Sequence, residues 1–156
     1  FFLPEISAVF PGAKFIGMQR DGCDVVVSYV KAGIYGDYEA AAHRWIESNI
    51  LLERFREKNA HCLMLLRYED LIAETDVHLD KVLAFTGIPK TRDSDNADAP
   101  QATLHDAHTL PHLKKSLAPV DATNSGKGVR ILREEASEKL RDLMNPWLKK
   151  LGYEEI

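Results

Sequence analysis

Cysteine is scarce in this sequence. Cys23 and Cys62 are the only two, and they offer neither metal-ligand spacing nor a disulfide framework. One disulfide between them stays open. Long apolar runs are missing too. None approaches the roughly 20 residues that cross a bilayer, so no membrane span is expected. The first residues carry no basic segment followed by a small-residue cleavage site. Together these absences predict a reducing, cytoplasmic setting. Positive charge is not in excess: 20 Lys and Arg stand against 24 Asp and Glu, for a net charge of -4. That excludes a broad basic surface and, with it, a nucleic-acid partner, so any anion site must be local. Internal repeats, low-complexity tracts and a GxxxxGK[ST] phosphate loop are also absent.

What is present fits a folded domain. The 156 residues predict one domain. At this length a chain buries about 70% of its unfolded surface, enough for a true core. Hydrophobic residues make up 45% and charged residues 28%, a globular rather than a disordered composition.

Residues 3–10 read as the end of a short helix, with Pro4 suited to its first turn and Pro11 closing it. Lys14–Gln19 is a short apolar run between turn residues, and so a buried strand. Asp21 is placed to cap a helix over Asp24–Ala32, although its three valines favour a strand. Tyr38–Asn59 is the longest helical stretch, with Ala41, Trp45, Leu52 and Phe55 on its apolar stripe and Trp45 in the core. His61–Arg67 is a second buried strand. Thr75 is expected to cap a helix to about Thr86, with Gly87 ending it. Residues 90–127 have no sustained period and read as a long loop, a lid or an acceptor-facing segment. Ser137–Leu151 is helical again, and Asn145-Pro146 is expected to break or kink it. Strands alternating with helices predict an α/β fold with a parallel sheet.

The segment from Phe15 to Ser28 carries the strongest chemistry. Arg20 falls where a strand ends and a helix begins. Ser28 follows Asp24 by one turn on the same face. A ligand of an open α/β sheet binds at the carboxyl ends of its strands. A helix start offers free N–H groups and a positive dipole end, and Arg presents a planar fork that matches phosphate. The group reads as an anion clasp, although a plain surface Arg–Asp pair explains the same spacing. Tyr68, in Tyr68-Glu69-Asp70, sits where it can stack on a base or simply pack half-buried. Gly126, Lys127, Gly128 and Arg130 form a third point. Small residues there let a ligand approach the backbone and two cations supply charge, or else they make an ordinary surface turn.

In this order the three points resemble the C-terminal part of sulfotransferases that use 3'-phosphoadenosine 5'-phosphosulfate (PAPS). The matching text is FPGAKFIGMQRDGCDVVVSY, then LLRYEDLIAETDVHLDKVLAFTGIP, then GKGVRILREEASEKL ending in LKKLGYE. The resemblance leaves out about residues 90–122. It implies a three-layer, P-loop-NTPase-like fold with a parallel sheet flanked by helices. It implies that Arg20 and Ser28 hold the cofactor's 3'-phosphate, that Tyr68 lies at the adenine, and that the loop of Gly126, Lys127 and Gly128 also touches the 3'-phosphate. The family's 5'-phosphosulfate loop and its catalytic base, a His or Glu, lie upstream of these motifs. The expectation is therefore a C-terminal portion that makes the 3'-phosphate and adenine contacts of PAPS or of the product adenosine 3',5'-bisphosphate (PAP). The parent reaction moves a sulfuryl group to a hydroxyl or amine acceptor of unread identity.

His105, His108 and His112 are spaced to share a helical face, but without a Cys or carboxylate partner no metal site is expected. His43, His61 and His78 read as surface or packing residues. The dimer motif of the cytosolic relatives is absent, so a homodimer is left open. The rival readings are a truncated, non-catalytic module that binds nucleotide or dimerises, and a generic α/β interaction domain.

Overall fold

The computed structural model describes residues 2–90 and 125–156. The expected loop over 90–127 and the three loop histidines fall largely or wholly outside these residues.

Seven helices and two strands are found among them. Helix α1 is Leu3–Val9, with Pro4 in its first turn as expected. Strand β1 is Phe15–Gln19 and β2 is Leu63–Arg67. They pair in parallel, in register from Phe15 opposite Leu63 to Gln19 opposite Arg67. The connection between them runs through α2 (Gly22–Lys31) and α3 (Tyr38–Asn59). After β2 come α4 (Tyr68–Ala73) and α5 (Thr75–Thr86), and later α6 (Lys127–Glu135) and α7 (Glu138–Lys150). The mixed α/β class is as expected. Among the described residues the sheet has two strands.

The valine-rich segment is a helix. Asp21 caps it by accepting from the N–H groups of Cys23 and Asp24, and Val26 and Val27 are buried beneath it. The cap and burial outweigh the modest cost of β-branching, which spans only a few tenths of a kcal/mol per residue. Asp37 and Ser137 cap α3 and α7 through Ala40 and Leu140. Gly87 ends α5 with a left-handed conformation.

Two local expectations fail. Thr75 does not cap α5: it is the first helical residue, and its hydroxyl donates to the Leu71 carbonyl behind it. Pro146 does not end α7, which continues to Lys150. The proline removes the N–H that would bond Asp142, but Asp142 and Pro146 are exposed and water can serve that carbonyl. Met144 and Leu148 stay buried on either side of it.

The core lies between α2, α3, α6 and α7. Cys23, Val26, Ala41, Ala42, Leu132, Met144 and Leu148 are fully enclosed there. Trp45 is buried as expected, and its indole N–H donates to the Arg20 carbonyl at 3.2 Å. Helix α3 also covers one face of the sheet, where Leu52 lies against Gly17 and Phe55 meets Phe15 edge to face. Cys23 and Cys62 are buried free thiols, so the disulfide left open by the sequence is not formed. No described helix is long and apolar enough to cross a membrane.

Candidate functional site

The parallel register carries Gln19 and Arg67 to the same level. The next residue on each strand, Arg20 and Tyr68, therefore leaves the sheet side by side at its carboxyl edge. Their side chains meet: the Arg20 guanidinium carbon lies 4.4 Å from the centre of the Tyr68 ring. This is a cation–π stack, and it leaves the guanidinium partly open, with 29% of the side chain exposed. The first two sequence motifs are thus one place in space.

The third motif reaches the first through Asp24. This buried carboxylate takes the Gly126 N–H on Oδ2 at 2.8 Å and the Gly128 N–H on Oδ1 at 2.7 Å. Oδ2 also lies 3.8 Å from an Arg20 amino group. Gly126 caps α6 with φ of 79°, a left-handed conformation that disfavours other residues. Gly128 lies against the backbone of Cys23 and Asp24, where a Cβ would come within 2.4 Å. Lys127 and Arg130 are exposed at the start of α6, and Ser28 is exposed one turn beyond Asp24.

These contacts correct one expectation. Two N–H groups at each of these helix starts are already taken within the protein. Asp21 occupies Cys23 and Asp24 at α2, and Asp24 occupies Gly126 and Gly128 at α6. The protein's own carboxylates already meet the positive helix ends. Of the residues expected to meet an anion, Ser28, Lys127 and Arg130 are exposed and Arg20 is partly so.

Asp24, Glu69 and Tyr153 were not singled out as site residues from sequence. The signal was there for Asp24, four residues after Arg20, and for Glu69, next to Tyr68. Glu69 Oε1 accepts the Asp21 N–H at 3.0 Å, and Tyr153 donates to its Oε2 at 3.3 Å. Among the described residues no group of His, Cys, Asp and Glu could hold a metal. Burial pushes the Cys23 thiol up, helped by Asp21 and Asp24, so it stays protonated and unreactive at neutral pH.

Burial also raises the Asp21 carboxyl above its ordinary 3.8. Asp24 and Glu69 add to the rise, and the N–H groups of Asp24 and Cys23 oppose it. A raised acid binds its proton more tightly folded than unfolded. Its favourable contribution is thus full below pH 3.8 and is lost as pH rises through the folded value. Both capping bonds go to Oδ1, which asparagine retains. Asp21→Asn is therefore expected to match or exceed the parent in stability at pH 7, with the gap closing on acidification. Urea unfolding at pH 7 and pH 4.5 checks this. A gap that widens in acid would mean that Asp21 is held ionised.

A model described as the sulfotransferase family matches residues 1–93, more than half of the 156 residues. The match spans Arg20, Ser28 and Tyr68 and stops before Gly126. Comparison with curated proteins gives no match.

Proposed function

The chain belongs to the sulfotransferase family, and from that membership we propose that the edge carrying Arg20 and Tyr68 binds the 3'-phosphoadenosine end of PAPS. The observation that carries this is the Arg20–Tyr68 stack at the carboxyl ends of paired parallel strands. It sets a cation with a planar fork beside an aromatic face, and a phosphorylated adenosine presents the complement of both.

The residues divide the work. Arg20 and Ser28 take the 3'-phosphate, and Lys127 and Arg130 add charge from α6. Tyr68 packs against the adenine. Gly128 lets α6 approach α2 closely and Gly126 supplies the left-handed turn before it, with both N–H groups on Asp24. Bound PAPS supplies the sulfuryl group that is transferred to a hydroxyl or amine acceptor. Such transfer is dominated by positioning and charge neutralisation, as in phosphoryl transfer. The parallel pairing and the crossover through α2 and α3 support reading β1 and β2 as neighbours in a three-layer, P-loop-NTPase-like sheet.

The test is calorimetry with PAP. Arg20→Ala is expected to weaken binding by about 10- to 100-fold, since a hydrogen bond to a charged group contributes about 1.5–3 kcal/mol. Arg20→Lys should fall between, because it keeps charge and loses the fork. Unchanged affinity in Arg20→Ala rejects the assignment.

A further inference from the structure

The two turns of the site are joined by one carboxylate. Glu69 follows Tyr68 directly, and Asp21 follows Arg20. Glu69 Oε1 accepts the Asp21 N–H at 3.0 Å, which links the β1–α2 turn to the start of α4. Its other oxygen is held from the far end of the chain by the Tyr153 hydroxyl at 3.3 Å.

Tyr153 is itself well fixed. Its N–H donates to the Leu148 carbonyl at 2.8 Å. The Arg67 guanidinium covers its ring at 4.3 Å and reaches the Leu151 carbonyl. Beyond it, the Asn145 side chain pairs with both the N–H and the carbonyl of Ile156. The segment after α7 is thereby strapped against the carboxyl edge of the sheet. Burial and the nearby Glu69 charge keep the phenol protonated, so it remains a donor.

We propose that Glu69 is a positioning residue for the nucleotide site, holding the Arg20 turn against Tyr68, with Tyr153 as its clamp. The proposal rests on the nucleotide reading above. A stack of guanidinium on ring is soft by itself, since cation–π attraction constrains distance more than orientation. A hydrogen bond one residue further along each turn fixes their relative placement. That order is set before ligand arrives, so less is lost on binding.

Two measurements test it. The first is calorimetry with PAP. Glu69→Ala should bind about tenfold more weakly. Glu69→Gln, whose amide oxygen still accepts from Asp21, should stay within about threefold of the parent. Tyr153→Phe should lose about two- to threefold. The second is hydrogen exchange at the Asp21 amide without ligand, which should quicken in Glu69→Ala and Tyr153→Phe and stay slow in Glu69→Gln. A parent that binds no PAP defeats the nucleotide reading but leaves the exchange test standing. Unchanged Asp21 exchange in Glu69→Ala overturns the lock, and so does equal loss of PAP affinity in the Ala and Gln variants. Should Glu69→Ala fail to fold, Glu69→Gln and Tyr153→Phe decide by the same two readouts.

Discussion

Gly128→Ala is expected to destabilise the protein by about 3 kcal/mol, at the top of the usual range for overpacking. Propensity alone argues for the opposite sign, because Ala favours a helix over Gly by about 1 kcal/mol. Contact distance decides the matter. A Cβ at position 128 would sit 2.3 Å from the Cys23 carbonyl carbon and oxygen and 2.4 Å from the Asp24 nitrogen. These are backbone atoms in the first turn of α2, where Asp21 pins the helix start. No rotamer change relieves the clash, so α6 has to retreat. Retreat also opens the burial of Val129 and Leu132 against the core. For a chain of this size the loss corresponds to a fall in Tm of roughly 6–12 °C. Thermal and urea unfolding read the effect, and a variant as stable as the parent would disprove the close approach. A retreating α6 also carries Lys127 and Arg130 away from Arg20, so under the proposed nucleotide reading PAP affinity should drop in whatever fraction stays folded.

Asp24→Ala is expected to cost about 2–4 kcal/mol, at a different atom of the same junction. The carboxylate accepts two backbone N–H groups from a segment more than 100 residues away. Gly126 is exposed and its N–H can turn to water, whereas Gly128 is buried and its N–H is left without a partner. An unsatisfied buried donor costs about 1–3 kcal/mol, and the lost bond to an ionised acceptor adds to it. The Arg20–Asp24 pair at 3.8 Å contributes little beyond this, because the arginine is partly solvated. Asp24→Asn should be milder than Ala. Its oxygen keeps one of the two bonds, but its amide meets the second N–H donor to donor. An unfolding midpoint unmoved in Asp24→Ala would show that α6 docks without this tie. The double variant Asp24→Ala, Gly128→Ala should cost less than the sum, since both changes undo one contact.

Much of the architecture was legible because its signals are local. Asp21 announces the start of α2 through its own neighbours, two and three residues on. Gly87 and Pro4 mark a helix end and a helix start by their backbone preferences. The apolar runs before Arg20 and Tyr68 are short and bounded, and both are strands. The failures are of another kind. Thr75 has the right chemistry for a cap, but its hydroxyl finds the Leu71 carbonyl instead. Pro146 carries a local penalty that exposure of its turn makes affordable.

The site shows the same division. The order of residues by itself put Arg20 at a strand–helix junction, Tyr68 at a second one and a Gly-Lys-Gly start on a later helix. That is enough to suggest an anion clasp and to resemble a sulfotransferase. It could not show which N–H groups remain for a ligand. Asp24 fills those of Gly126 and Gly128, and Glu69 fills that of Asp21. Those partners lie 102, 104 and 48 residues apart. Short-range spacing and propensity carry no information over such distances. Only the packing of α6 on α2, and of the two parallel strand ends on each other, decided that the carboxylates hold the frame, that Arg20 stacks on Tyr68 and that Lys127 and Arg130 stay exposed.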